Sequence, residues 1–164
     1  MSPALKSRVP FLGALLAAAA LIGTALFFQH GLGLEPCPLC IIQRVFVLGL
    51  GAVALVAAVH GPRVLGQRIY GALLGLVALG GAGVAGWHLR LQNLPEDQVP
   101  ECGPGLDYML DVYPFFQALE KVFKGSGECA EVVWSFLGLS IPGWTLIGFL
   151  AFAGYGFWLA FRKP

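Results

Sequence analysis

Two cysteines spaced as Cys37-Pro38-Leu39-Cys40 are the residues of this 164-residue chain best suited to chemistry. A Cys-x-x-Cys dithiol serves thiol–disulfide exchange, zinc binding or haem attachment. Haem attachment wants a histidine after the second cysteine, and here Ile41 follows Cys40. A four-cysteine zinc site usually pairs two close knuckles. The other two cysteines, Cys102 and Cys129, stand 27 positions apart, so no metal is assigned. Pro38 suits the first turn of a helix, where its missing N–H has no intrahelical acceptor. Cys37 would then sit near the N-cap, held out of helical geometry by the proline after it. Free N–H groups at a helix start favour a thiolate. Arg44 lies one turn beyond Cys40 on the same helix face. A guanidinium there can stabilise a thiolate or hydrogen-bond a quinone carbonyl. It can equally be an interfacial anchor reaching lipid phosphate.

Cys102 and Cys129 leave two readings open. A bridge between them would restrain the chain by roughly 3–4 kcal/mol on the chain-entropy view. Their surroundings, Pro100-Glu101-Cys102-Gly103-Pro104-Gly105 and Gly125-Ser126-Gly127-Glu128-Cys129, also suit an exposed, exchangeable pair. Of the histidines, His30 and His60 fall at the ends of apolar stretches. His88 falls inside one, beside Trp87, Arg90 and Gln92. Polar groups within a membrane are costly, which makes His88 a candidate site residue.

These residues need elements to hold them, and the composition says which. The chain is 57% hydrophobic and 12% charged, with a mean hydropathy of +0.77. A soluble domain carries about 25% charged residues. The apolar residues come in blocks, and about 20 in a row span a bilayer. Four blocks qualify, which predicts helices at about 11–29, 41–60, 69–89 and 142–161. The first, following Lys6 and Arg8, has the look of a signal peptide. It is longer than the usual apolar core of one and ends in Phe27-Phe28-Gln29-His30, not in a small-residue cleavage site. The expectation is a retained helix. Glycines 71, 75, 80, 81, 83 and 86 of the third block would permit close helix packing.

Charge sets the orientation. Lys6, Arg8, Arg63, Arg68, Arg162 and Lys163 fall on one side of four spans, and all nine acidic residues on the other. Arg44, Arg90, Lys121 and Lys124 go against the trend. The positive side is cytoplasmic by the usual rule. Both termini are therefore expected inside and all four cysteines outside, in loops at about 30–40 and 90–141. No basic run suits a nucleic acid backbone. Within the long loop, Leu106, Met109, Leu110, Tyr113, Phe116, Leu119, Val122 and Phe123 recur at helical spacing, with Pro114 interrupting. This predicts short amphipathic helices, lying on the membrane surface or packed as a lid. The expected fold is an all-α membrane protein, a four-helix transmembrane bundle with a long external loop containing short amphipathic helices.

Three segments resemble the DsbB family, the quinone-dependent oxidases of bacterial disulfide formation. They are Cys37-Pro38-Leu39-Cys40-Ile41-Ile42-Gln43-Arg44, the turn at Cys102, and Gly125-Ser126-Gly127-Glu128-Cys129-Ala130-Glu131 with Trp134-Ser135-Phe136-Leu137-Gly138-Leu139 and Pro142-Gly143-Trp144. The resemblance covers essentially the whole chain. It implies a bacterial inner-membrane location and a DsbA-type thioredoxin-fold partner that attacks a Cys102–Cys129 disulfide, with Cys102 forming the mixed disulfide. Cys37–Cys40 would reoxidise that pair, and Cys40 would pass electrons to a membrane quinone, ubiquinone ahead of menaquinone. Arg44 matches the family's quinone-associated arginine, and His88 the histidine near the same site. Gln43 departs from the pattern, since the family can carry an acidic residue there. Pro38 stands at a variable position and bears on the redox potential. A vitamin-K-epoxide-reductase-like enzyme also joins a membrane Cys-x-x-Cys to a quinone but would lack the Gly-Glu-Cys-Ala-Glu and Phe-Leu-Gly-Leu segments. A structural membrane subunit stapled by two disulfides, or a metal-binding one, are the readings outside redox catalysis.

Overall fold

The computed structural model describes residues 3–99, 111–124 and 127–162. Among them four helices are long and apolar enough to cross a membrane: Ser7–Gly31, Pro38–His60, Val64–Gln92 and Ile141–Phe161. The first begins earlier as a helix, so α1 is Pro3–Gly31, α2 Pro38–His60 and α3 Val64–Gln92. A single 3-10 turn, Glu96–Gln98, follows α3. Beyond it lie α4 (Phe115–Lys124), the short α5 (Gly127–Ala130), a two-stranded hairpin of β1 (Ser135–Phe136) and β2 (Leu139–Ser140), and α6 (Ile141–Phe161).

The helices run past the apolar blocks, and at α2 both boundaries are set by caps. At α2 the cap is Cys37, extended at φ −65° and ψ 162°, with Pro38 in the first turn. The helix ends at Gly61, whose φ of +62° lets its N–H reach the Ala57 carbonyl at 3.0 Å. Pro62 then prevents continuation. The hairpin turns on Leu137 and Gly138, both at positive φ (52° and 78°). That pair of signs matches the twist of a two-residue hairpin loop. The sequence reading did not foresee this small antiparallel element, which pairs Ser135 with Ser140 and Phe136 with Leu139.

Helix α3 packs most extensively on α6, and α2 packs on both α1 and α3, while α1 and α6 meet only sparsely. The α3–α6 seam is closed by glycine. A Cβ on Gly156 would stand 2.6 Å from the Gly75 nitrogen and 2.7 Å from the Gly71 oxygen. The two backbones can approach so closely only because neither carries a side chain there. Gly80 and Gly81 accommodate the rings of Phe46 and Phe149, whereas Gly83 and Gly86 meet no neighbour and play no such part. A core of Phe11, Leu50, Leu74, Phe149 and many alanines fills the bundle. Large apolar side chains such as Leu16, Leu65, Leu76 and Phe161 face outward, as lipid-facing residues do.

In the long loop, residues 111 and 112 are helical, and Pro114 separates them from α4. The first part of the expected amphipathic stretch, 106–110, lies outside the described residues, as does Cys102. The described part sits as a lid. Val122 is buried with Leu39, Val84, Leu91 and Cys129, and the Trp87 indole donates to the Phe123 carbonyl at 2.9 Å. Phe116 points the other way and is 81% exposed.

Candidate functional site: a dithiol beside an apolar cavity

The N-terminus of α2 presents both thiols of the Cys-x-x-Cys. Cys37, as the cap, turns its sulfur back to accept from the Cys40 N–H at 3.4 Å. The two sulfurs lie 3.0 Å apart. Below them opens a cavity of about 420 Å³. Its walls are Leu21, Ile22 and Phe28 of α1, Trp134 and Phe136 of the hairpin region, and Trp144 and Phe149 of α6. Cys40, Gln43, Arg44 and His88 are among the polar residues that line it, as are Thr145 and the acidic Glu35, Glu128 and Glu131. The cavity lies where α1 and α6 diverge, because four helices that pack α1–α2–α3–α6 leave that seam unfilled.

Arg44 is not free to wander toward the lipid surface. One guanidinium nitrogen donates to Gln29 Oε1 at 2.5 Å, and the other terminal nitrogen donates to the Ala25 carbonyl at 3.2 Å. Both partners belong to α1, so the charge is clamped across the cavity wall one turn below Cys40. A fixed cation here stabilises an anionic sulfur or an electron-rich oxygen better than a mobile one, because no reorganisation is needed.

His88 comes from α3 and is 2% exposed. Its Nε2 lies 3.0 Å from the Cys129 carbonyl oxygen and 3.7 Å from Cys37 Sγ. Its Nδ1 lies 3.0 Å from Gln43 Nε2. The fold thus brings Cys37, Cys40, Arg44, His88 and Cys129 to one place. Cys129, in α5, is buried to 1% and reaches Cys37 from far along the chain. The donor atoms of Cys37, His88 and Cys129 all lie within 4.8 Å of one another. Such a nitrogen-and-sulfur set is one that zinc accepts, although spacing along the sequence offered no zinc knuckle. A cation there would occupy the groups that thiol exchange requires.

Sequence reasoning missed Gln29 and Thr145 as site residues and marked Gln43 only as a departure from the family pattern beside Arg44. Thr145 donates to Gln43 Oε1 at 2.5 Å. The signal available was an uncharged polar side chain inside an apolar stretch.

Fold and site together define a multi-pass helical membrane protein whose dithiol opens on an apolar cavity. The family profile described as "Disulfide bond formation protein DsbB" matches residues 7–159. The chain is 54% identical over 143 residues to "Disulfide bond formation protein B" of Saccharophagus degradans, covering 87% of this chain and 86% of that one. It is 55% identical over 148 residues to the protein of the same name from Nitrosococcus oceani, covering 90% and 87%. With that of Hahella chejuensis it shares 48% over 160 residues, covering 98% and 97%. The chain belongs to the DsbB family of disulfide bond formation proteins.

Proposed function

We propose that this chain is a quinone-linked thiol oxidase of a bacterial inner membrane, with its termini in the cytoplasm and its cysteines in the periplasm. It oxidises the dithiol of a DsbA-type thioredoxin-fold partner and delivers two electrons to a membrane quinone, with ubiquinone the first candidate and menaquinone the second. The observation that carries this reading is the Cys37–Cys40 dithiol opening beside a clamped Arg44 into an apolar cavity. The residues fit a quinone. Aromatic and aliphatic walls take a flat ring and its tail, the guanidinium can donate to a ring oxygen, and the cavity lies at the seam between two membrane-spanning helices, through which a lipid-dissolved molecule would enter. When bound, the quinone accepts two electrons and two protons and becomes a quinol.

The protein's own residues then form a relay. The partner's thiolate attacks Cys102 of a Cys102–Cys129 disulfide; a partner–Cys102 bond forms and Cys129 leaves as a thiolate. The partner's second thiol releases the oxidised partner and leaves Cys102 reduced. Cys129 attacks Cys37, so a Cys37–Cys129 bond forms, the Cys37–Cys40 bond breaks, and Cys40 leaves as a thiolate against the cavity. Its negative charge develops where Arg44 can stabilise it. The proximity of Cys129 to Cys37 supports this order of exchange. Cys102 then attacks Cys129, which restores the Cys102–Cys129 bond and releases Cys37 as a thiol, and the reduced Cys37–Cys40 pair would re-form its disulfide by giving two electrons and two protons to a bound quinone. The sum is one partner dithiol and one quinone converted to one disulfide and one quinol. A DsbA-type partner has a potential near about −120 mV, and about 30 mV corresponds to 1.4 kcal/mol for a two-electron couple. Only a strongly oxidising acceptor drives the transfer, which is why the dithiol must meet a quinone.

The test mixes purified chain, reduced DsbA-type partner and quinone, and follows the quinone absorbance. Turnover that Cys37→Ser and Cys40→Ser each abolish is the expected result. No turnover with folded protein and competent partner would overturn it in favour of a structural subunit whose disulfides resist mild dithiols.

A further inference from the structure

A buried chain of polar groups crosses the bundle beneath the dithiol, one link from each of three helices. Thr145 Oγ1 of α6 lies 2.5 Å from Gln43 Oε1 of α2 and 3.0 Å from the Pro142 carbonyl. Gln43 Nε2 lies 3.0 Å from Nδ1 of His88 on α3, whose Nε2 faces the Cys129 carbonyl at 3.0 Å and Cys37 Sγ at 3.7 Å. Gln43 is 3% exposed and His88 2%, so water cannot substitute freely between these two, while Thr145 is part-buried at the cavity wall.

The hydrogen-bond accounting for a neutral imidazole points to one solution. The Cys129 carbonyl can only accept, which favours a proton on Nε2, and the tautomer is fixed only while Nδ1 faces a donor. Nδ1 is then the acceptor, and Gln43 must turn its amide N–H toward it. That points Gln43 Oε1 away from His88, where a buried oxygen needs a donor of its own. The Thr145 hydroxyl supplies it. A carboxylate at position 43 would reverse the logic. It offers acceptors only, so it would demand a proton on Nδ1 as well and make His88 a cation.

We propose that Gln43 and Thr145 are positioning residues that hold His88 as the Nε2–H tautomer, its proton aimed at the place where Cys37 and Cys129 meet. A sulfur that becomes anionic during exchange at Cys37, 3.7 Å from Nε2, then competes with the Cys129 carbonyl for that proton, in surroundings where a hydrogen bond to charge is strong. The role in exchange rests on the relay proposed above; the tautomer does not.

The experiment is nitrogen NMR of the full chain with labelled histidine, His88 being assigned by difference with a His88→Asn variant. Wild type should show a protonated Nε2 and an unprotonated Nδ1. Thr145→Val should give a mixture of tautomers and Thr145→Ser the wild-type signature. Gln43→Glu should show both nitrogens protonated. In turnover, Thr145→Val should lower kcat roughly threefold to tenfold, the worth of one hydrogen bond, with the quinone KM unchanged. Thr145→Ser should restore it. A wild-type His88 protonated on Nδ1 would overturn the proposal, as would a Thr145→Val variant that keeps the wild-type tautomer. If Thr145→Val does not fold, Gln43→Glu and Thr145→Ser decide it on the same spectrum. Absence of quinone turnover in wild type would sink the relay and leave the tautomer result readable.

Discussion

The two ends of the bundle are held together by different physics. At the end away from the cysteines, α3 and α6 touch backbone to backbone through Gly71, Gly75 and Gly156. At the cysteine end the same two helices, with α2, are joined by Thr145, Gln43 and His88, through hydrogen bonds of 2.5 and 3.0 Å. The glycine seam leaves no space and offers no chemistry. The polar end leaves a cavity and gathers every reactive group described. In a membrane, where lipid competes equally for apolar surface, close backbone packing supplies rigidity cheaply. Polar side chains are the expensive choice, and among the described residues two of the three buried ones, Gln43 and His88, lie at the cysteine end, the third being Ser7.

The largest effect should come from the thiol that faces the cavity. Cys40→Ser is expected to abolish quinone reduction while the chain still inserts and folds, as checked by quinone absorbance alongside circular dichroism. Normal turnover in that variant would remove Cys40 from the relay. At the other end, Gly156→Val should leave the sulfurs untouched but force α3 and α6 apart. Overpacking of this kind costs about 1–3 kcal/mol. The check is unfolding in detergent against a denaturant series; unchanged stability would mean that the seam opens without cost and that the rigid end is not rigid.

Much of this division was legible in the sequence. Apolar runs long enough to span a bilayer announce themselves, and Arg44 and His88 stand out because a charge or an imidazole in such surroundings needs a reason. Gln29 and Thr145 did not stand out, and Gln43 did so only as a departure from the family's acidic residue, for a physical reason. A hydroxyl in a helix can satisfy itself locally, as Thr24 does on the Ala20 carbonyl at 2.9 Å. Residue type alone does not distinguish Thr24 from Thr145, which reaches across to another helix. The approach of Cys129 to Cys37 depends on how the long loop folds back over α2 and α3, which no local pattern encodes. The hairpin at Ser135–Ser140 is too short for any periodicity to reveal, and its Leu137-Gly138 turn is a weak signal because leucine rarely adopts positive φ.

Arg44 tests the polar end more finely. Arg44→Ala should raise the quinone KM roughly tenfold, the loss of about one charge-assisted hydrogen bond, and should disturb partner binding less. An unchanged KM would leave Arg44 as a tie between α2 and α1 with no part in quinone binding. Gln29→Leu should act in the same direction and less strongly, because it frees the guanidinium without removing it.

The smallest effect concerns the lid over the dithiol. Trp87 ties α3 to α4 by one hydrogen bond to the Phe123 carbonyl, and the Arg90 guanidinium lies over its ring at 5.4 Å. Trp87→Phe keeps an aromatic surface for the arginine and removes only the donor. One hydrogen bond contributes about 1 kcal/mol, so local opening of α4 should become roughly fivefold more frequent. Amide hydrogen exchange across Phe115–Lys124 reads this directly, while exchange in α2 should stay as it was. Unchanged protection in α4 would show that the seating of Val122 against Leu39 and Leu91 holds the lid by itself. The cysteine end would then owe its cover to apolar packing, and the contrast between the two ends would be confined to the three residues that join the helices below the dithiol.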